Sequence, residues 1–269
     1  MKPVTNDRVQ REKEFHDAWA SSVEVQKLRV RRNFDSPTAI DNRYALSEMG
    51  DLRGKSLLDL GCGAGETSVY FALMGAKVVG NDISGGVLGL GRRLAQKNAS
   101  SVDFLQADAG KLPYKDNSFD IIFGNGVLHH VDLQAAAKEI RRVLKPGGKA
   151  IFIEPLPYNP LINIYRKMAK GVRTEDEKPL SLSQRESLRP HFSSLKHREF
   201  WFLSLLIFLD FYFVKKWHPS KTRYWKKVIE VGPAYRDFFA RLQKWDNFLL
   251  NTFPFLKPLC WNTVITVQK

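Results

Sequence analysis

The chain has 269 residues, 43% of them hydrophobic, which suits one α/β domain with additions and a sizeable apolar core. Two cysteines, Cys62 and Cys260, exclude a disulfide framework, and no repeat or low-complexity tract is present. The net charge of +14 is unevenly placed: Lys and Arg against Asp and Glu number 10 and 9 over residues 1–54, 12 and 10 over 55–155, and 20 and 9 over 156–269. The basic excess therefore belongs to the C-terminal part. It suits a phosphate-rich partner such as nucleic acid, anionic lipid or an acidic substrate, or serves solubility alone. The opening stretch MKPVTNDRVQREKEF lacks the apolar segment of a signal peptide, so a reducing cytoplasm is the expected setting.

Residues 5–32 are charged, with Phe15, Trp19, Val23, Val25 and Leu28 as apolar anchors, and predict one or two helices. The stretch 38–50, TAIDNRYALSEMG, predicts another, ended by Gly50 or Gly54. From Lys55 the chain alternates regularly: strand 55–60, helix 65–74, strand 77–82, helix 85–98, strand 102–108, strand 119–124, helix 132–144 and strand 149–155. Alternation of this kind predicts a parallel sheet with helices on both faces. Lys145-Pro146-Gly147-Gly148 forbids continuation of the helix before the fifth strand.

The stretch LLDLGCGAGETS, 57–68, runs from a buried strand through an acid into Gly61-Cys62-Gly63-Ala64-Gly65 and then a helix start. Glycines here let backbone N–H groups approach a nucleotide-like ligand. A dinucleotide fingerprint would need glycine where Glu66 stands, and that carboxylate would repel a pyrophosphate. Asp82 ends the second strand 23 residues after Asp59, where an acid accepts hydrogen bonds from ribose hydroxyls.

The pattern Asp59-x-Gly61-x-Gly63-x-Gly65 resembles motif I of the class I S-adenosylmethionine-dependent methyltransferases, whose cofactor carries a cationic sulfonium and no phosphate. Leu112-Pro113-Tyr114 with Ser118-Phe119-Asp120, and the Leu-Lys-Pro-Gly-Gly turn before the fifth strand, resemble further landmarks of that family over roughly residues 50–155. The resemblance implies a Rossmann-like, seven-stranded, mostly parallel sheet with an antiparallel last strand, an N-terminal helical lid over 1–50 and a cofactor-binding core over 51–155. It implies S-adenosylmethionine as cofactor, held by Asp59, Gly61, Cys62, Gly63, Gly65, Asp82 and Ile83, with Asp108 and Ala109 at the adenine and Asn125 closing the site. No metal ligand is assigned. The N-terminal helices would lie over the cofactor, or simply pack on the sheet edge.

Residues 156–269 read as a substrate cap. Several prolines in 156–181 predict an excursion over the strand ends before a helix at 183–192. The run 199–214, EFWFLSLLIFLDFYFV, is the most apolar in the chain, but it is shorter than the about 20 residues a membrane span needs and contains Asp210. Strands 195–203 and 261–268 would complete the sheet as an antiparallel pair, with a helical insertion over 205–258. That insertion either buries its own aromatics as a soluble cap or lays them in a membrane interface.

Methyl transfer needs a nucleophile held in line with the methyl carbon, and a hydroxyl or activated carbon acceptor also benefits from a base. His130 and His129, just past the fourth strand, are the candidate bases, or else shape the pocket. The sequence favours a methyltransferase of a lipophilic or aromatic small molecule (lipid, quinone or polyketide-like), cytoplasmic or peripheral to an anionic membrane. An RNA methyltransferase using the basic tail is the alternative. Against an exocyclic-amine type stands Asn125-Gly126-Val127-Leu128, without the Pro-Pro-aromatic of such enzymes. A protein that binds the cofactor without catalysis is the third reading.

Overall fold

The computed structural model describes residues 6–169 and 178–269. One seven-stranded sheet organises the molecule, in the order β3-β2-β1-β4-β5-β7-β6. Its strands are β1 Ser56–Leu60, β2 Lys77–Asp82, β3 Val102–Gln106, β4 Phe119–Asn125, β5 Leu144–Pro155, β6 Ser194–Phe200 and β7 Asn262–Gln268. The first five are parallel, and β7 runs antiparallel between β5 and β6. The strand order reverses between β1 and β4, which opens a crevice at their carboxyl ends.

The helices are α1 Asn6–Ser21, α2 Arg32–Asp35, α3 Ile40–Met49, α4 Glu66–Leu73, α5 Gly85–Lys97, α6 Leu133–Val143, α7 Pro160–Met168, α8 Leu182–Glu186, α9 Ile207–Phe213, α10 Tyr224–Val231 and α11 Arg236–Thr252. Alternate strand residues feed two cores. Leu57, Ile121, Phe123, Ile151 and Val264 pack toward α4, α5 and the C-terminal helices, whereas Leu58, Ile122, Phe152 and Ile265 pack toward α6. Helix starts follow their local chemistry: Ser84 caps α5 by accepting from Val87 N–H, and Asp132 caps α6 by accepting from Gln134 and Ala135.

Most predicted elements stand within a residue or two of their expected ends, and α3 stops at Gly50 with φ +78°. Four differences have local causes. The third strand stops at Gln106, so Asp108 and Ala109 lie in the turn beyond it. The fifth begins at Leu144, and Lys145–Gly148 bulges where the register shifts between Phe119 and Ile121. The sixth ends at Phe200 and not at 203, because Trp201 adopts φ +70° and turns the chain out of the sheet. The helix expected at 183–192 is the short α8 followed by a 3-10 turn at Arg189–His191. Part of the proline-bearing excursion, residues 170–177, lies outside the described residues.

Strand directions place the insertion. Asn262, the first residue of β7, is paired with Phe200 at the end of β6 and with Pro155 at the end of β5. The segment between β6 and β7 therefore leaves and re-enters the sheet on the edge where β1, β2 and β4 also end. There it meets the N-terminal segment: the hydroxyls of Thr38 and Ser36 donate to the carbonyls of Val228 and Ile229 on α10. A Cβ on Gly232 would fall on the Ser36 hydroxyl, so this seam admits no side chain at that position.

Candidate functional site

Between β1 and α4 the chain turns through Gly61, Gly63 and Gly65 with φ of +66°, +52° and +76°. Two of these glycines are needed for packing as well as for conformation. A Cβ at Gly61 would stand 2.8 Å from Val127 Cγ2, and one at Gly65 would stand 2.8 Å from the Phe104 ring. At Gly63 nothing lies within 4 Å of that position. The middle of the turn thus presents bare backbone to open space, which a bound ligand can approach closely.

Asp59 and Asp82 flank the turn and do different work. Asp59 is buried beneath it, where one carboxylate oxygen accepts from the hydroxyls of Thr67 and Ser68, both at 2.6 Å. Burial pushes its pKa up to about 6, and the charge of Asp82 adds to the rise. Asp82 accepts from the N–H of Gly63 with one oxygen and of Ser84 with the other, each at 3.0 Å. Each oxygen keeps a lone pair for a further donor, and burial raises this pKa too. Two carboxylates whose ionisation is opposed by burial favour a ligand that brings positive charge or hydroxyl donors. Glu66, at the first turn of α4, adds a third acid, whose carboxylate accepts from Arg29 N–H at 3.2 Å.

The other expected residues ring the same strand ends. Cys62 is buried inside the turn, and its N–H donates to Asn81 O at 2.9 Å. The Ile83 carbonyl accepts from Gln106 Nε2. Asp108 accepts from the N–H of Gly110 at 2.7 Å, with Ala109 buried beside it. Asn125 is exposed at the end of β4 and donates to Asn42 Oδ1 of α3 at 3.3 Å.

His129 and His130 differ sharply. His129 is buried, and its Nδ1 lies 2.6 Å from Glu154 Oε2, while the other oxygen of Glu154 accepts from the N–H groups of Val127 and Leu128. The His130 side chain is 24% exposed, and its Nδ1 lies 3.1 Å from Glu12 Oε1 on α1. The two rings stand 4.1 Å apart. A half-open imidazole held by a carboxylate can take and release a proton, whereas a buried one fixes the loop.

Sequence reasoning missed three acids here. Glu154 follows an apolar run one residue before the end of β5, as Asp59 does in β1, so the same signal could have singled it out. Glu12 and Asp17 on α1 carried no local signal. Asp17 accepts from the Ser84 hydroxyl and the Gly86 N–H, and its bonds to Lys13 and Ser84 hold its pKa down at about 2. Together Glu12 and Asp17 tie α1 across the ends of β2 and β4.

A family model described as "Methyltransferase domain" matches residues 58–152. The demethylmenaquinone methyltransferase of Lactococcus lactis is 36% identical over 127 residues, 45% of this chain and 50% of that protein. A sterol 24-C-methyltransferase of Gibberella zeae is 34% identical over 138 residues, 50% of this chain and 36% of that protein. The chain thus spans half or less of the length of these relatives. Among solved structures, a Haemonchus contortus phosphoethanolamine N-methyltransferase in complex with S-adenosylhomocysteine shares the fold at a TM-score of 0.57 and 18% identity, over 94% of this chain and 56% of that one.

Proposed function

We propose that this chain, whose residues 58–152 match a family model described as "Methyltransferase domain", transfers the methyl group of S-adenosylmethionine to a lipophilic acceptor. The observation that carries this reading is the pairing of an open glycine turn with one buried and two half-buried acids. Gly63 leaves room for a ligand against the backbone, and Asp59, Asp82 and Glu66 make the surroundings averse to phosphate and receptive to a cation. Asp82 takes the ribose hydroxyls on its remaining lone pairs, the turn 61–65 carries the amino-acid end, and Asp108 and Ala109 border the adenine. Asp59 acts from beneath, by holding Thr67 and Ser68 at the start of α4.

When bound, the cofactor supplies an electrophilic methyl carbon on a positively charged sulfur. The protein's part is to hold the acceptor in line with that carbon, to exclude water and to receive any proton the acceptor loses. His130 receives the proton. With Nδ1–H donated to Glu12, its lone pair sits on Nε2, and the carboxylate stabilises the imidazolium that forms. His129, held by Glu154, fixes the loop that carries His130. Helix α1 acts as a lid, since it brings Glu12 to the histidine.

The acceptor class rests on the relatives, whose names specify a demethylmenaquinone and a sterol, both lipid-soluble. An acceptor of this kind reaches the protein from a membrane surface, and no helix among the described residues is long and apolar enough to cross one. Calorimetric titration tests the cofactor reading. S-adenosylmethionine should bind and a dinucleotide of the NAD type should not; tighter binding of the dinucleotide would overturn it.

A further inference from the structure

The insertion between β6 and β7 turns an aromatic stripe to solvent. On α11, Phe238, Arg241, Trp245 and Phe248 follow the i, i+3, i+7, i+10 spacing of one helix face, while Phe239, Asp246 and Leu250 face inward and are buried. Trp245 is 58% exposed and Phe248 is 56% exposed, with their rings 6.0 Å apart. Just beyond the helix stand Phe253 and Phe255, the latter 75% exposed. Helix α9 and the turn before it repeat the pattern: Leu206, Leu209 and Phe213 form a second outward stripe, followed by exposed Lys215 and Lys216.

Burying so much aromatic surface would have been possible, because the same insertion buries Phe208, Phe211, Tyr224 and Phe239. The outward aromatics are therefore not left over from a core too small to take them. Charge selects among the surfaces that would cover them. The cations Arg236, Arg241 and Lys244 share the exposed side of α11 with one exposed acid, Asp237, since the other acid, Asp246, is buried on the N–H groups of Phe202, Leu203 and Ser204. A second copy of this chain would bring like charge against like charge. An anionic lipid surface brings the opposite charge and an apolar layer in which Phe and Trp rings settle.

We infer that the α9 and α11 stripes dock the protein on an anionic lipid surface, with the aromatic rings in the interfacial layer and Arg241, Lys244, Lys215 and Lys216 against the headgroups. The inference extends the reading of a lipophilic acceptor and names the face that would meet it. The insertion springs from the sheet edge where β1, β2 and β4 end, so a docked protein holds that edge next to the lipid that contains the acceptor.

The test is sedimentation of the full chain with vesicles of phosphatidylcholine alone and of phosphatidylcholine with phosphatidylglycerol, at low and high salt. Binding should require the anionic lipid and fall with salt. Trp245→Ser with Phe248→Ser should weaken it about tenfold or more, since each ring buries apolar area in the layer. Both side chains are exposed, so the doubly substituted protein should fold and still bind S-adenosylmethionine with unchanged affinity. Unchanged vesicle binding in that protein, or equal binding to neutral vesicles at all salt concentrations, would overturn the inference. So would a dimer in the unsubstituted chain that the two changes dissolve, because the stripe would then be a contact between copies. Vesicle binding needs no methyl transfer, so its failure and that of the proposed reaction are read separately.

Discussion

Residues 55–155 carry 12 cations against 10 acids and keep their aromatic rings buried or half-buried, whereas the insertion between β6 and β7 is basic and turns Phe213, Trp245 and Phe248 to solvent. The family match lies within the first region and stops before the second. In the first, packing is close around the glycine turn and the elements beside it: the Phe104 ring fills the space left by the missing side chains of Gly65, Gly80 and Gly91. In the second, Phe208, Phe211, Tyr224 and Phe239 join the apolar cluster on one face of the sheet, and polar anchors such as Asp246 on the backbone of 202–204 and Asp210 on the Tyr235 hydroxyl fix the helices further. The contrast sets a closely packed core, to which the proposed cofactor binding belongs, beside an aromatic, basic insertion, to which the proposed docking and delivery of the acceptor belong.

Asp246→Ala should break the comparison most forcefully. It strands the half-buried N–H groups of Phe202 and Leu203 and the buried N–H and hydroxyl of Ser204, at a cost of about 4 kcal/mol. Hydrogen exchange should then rise over α9 to α11, while cofactor affinity persists; loss of the whole sheet together with the insertion would show one cooperative unit. Gly91→Ala attacks the other side. The new Cβ would lie 2.7 Å from the Phe104 ring. Denaturant unfolding should show a loss of about 3 kcal/mol, partly restored by Phe104→Leu. If Phe104→Leu restores nothing, the three-glycine packing around the ring is not the cause.

Two smaller changes sharpen the role of the acids. Asp82→Ala should weaken S-adenosylmethionine binding by about 2 kcal/mol in calorimetry and also lower thermal stability, because the N–H groups of Gly63 and Ser84 lose their acceptor. Asp59→Asn should act through pH. The folded-state pKa of Asp59 is about 6, above its ordinary 3.8, so its contribution to stability is present below pH 3.8 and is lost as pH rises through 6. Removing the ionisable group should make the variant about 1 kcal/mol more stable above pH 7, after allowing for weaker acceptance from Thr67 and Ser68. Below about pH 4 the advantage should vanish; a variant less stable at every pH would mean that the charged form is needed.

The legibility of the sequence follows the same divide. Apolar runs ended by an acid or a glycine turn are local signals, so β1, β2, β4 and their loops could be placed from the chain alone. Glu12 with His130 is a meeting of residues 118 apart, and Thr38 with Val228 of residues 190 apart, and no periodicity records such pairs. The end of β6 depended on the backbone of Trp201, a bulky residue in a left-handed conformation that its own chemistry disfavours. The α11 stripe was written in the sequence at helical spacing, but which side of the helix faced the protein depended on where Asp246 found its partners.

The most direct measurement is methyl transfer itself. S-adenosylmethionine labelled in the methyl group would be incubated with the protein and vesicles containing a demethylated isoprenoid quinol, then partitioned into organic and aqueous phases. The account predicts label in the organic phase, lost in His130→Ala while that protein still binds the cofactor. Cofactor binding without label in any lipid, or label appearing instead in added RNA, would contradict it.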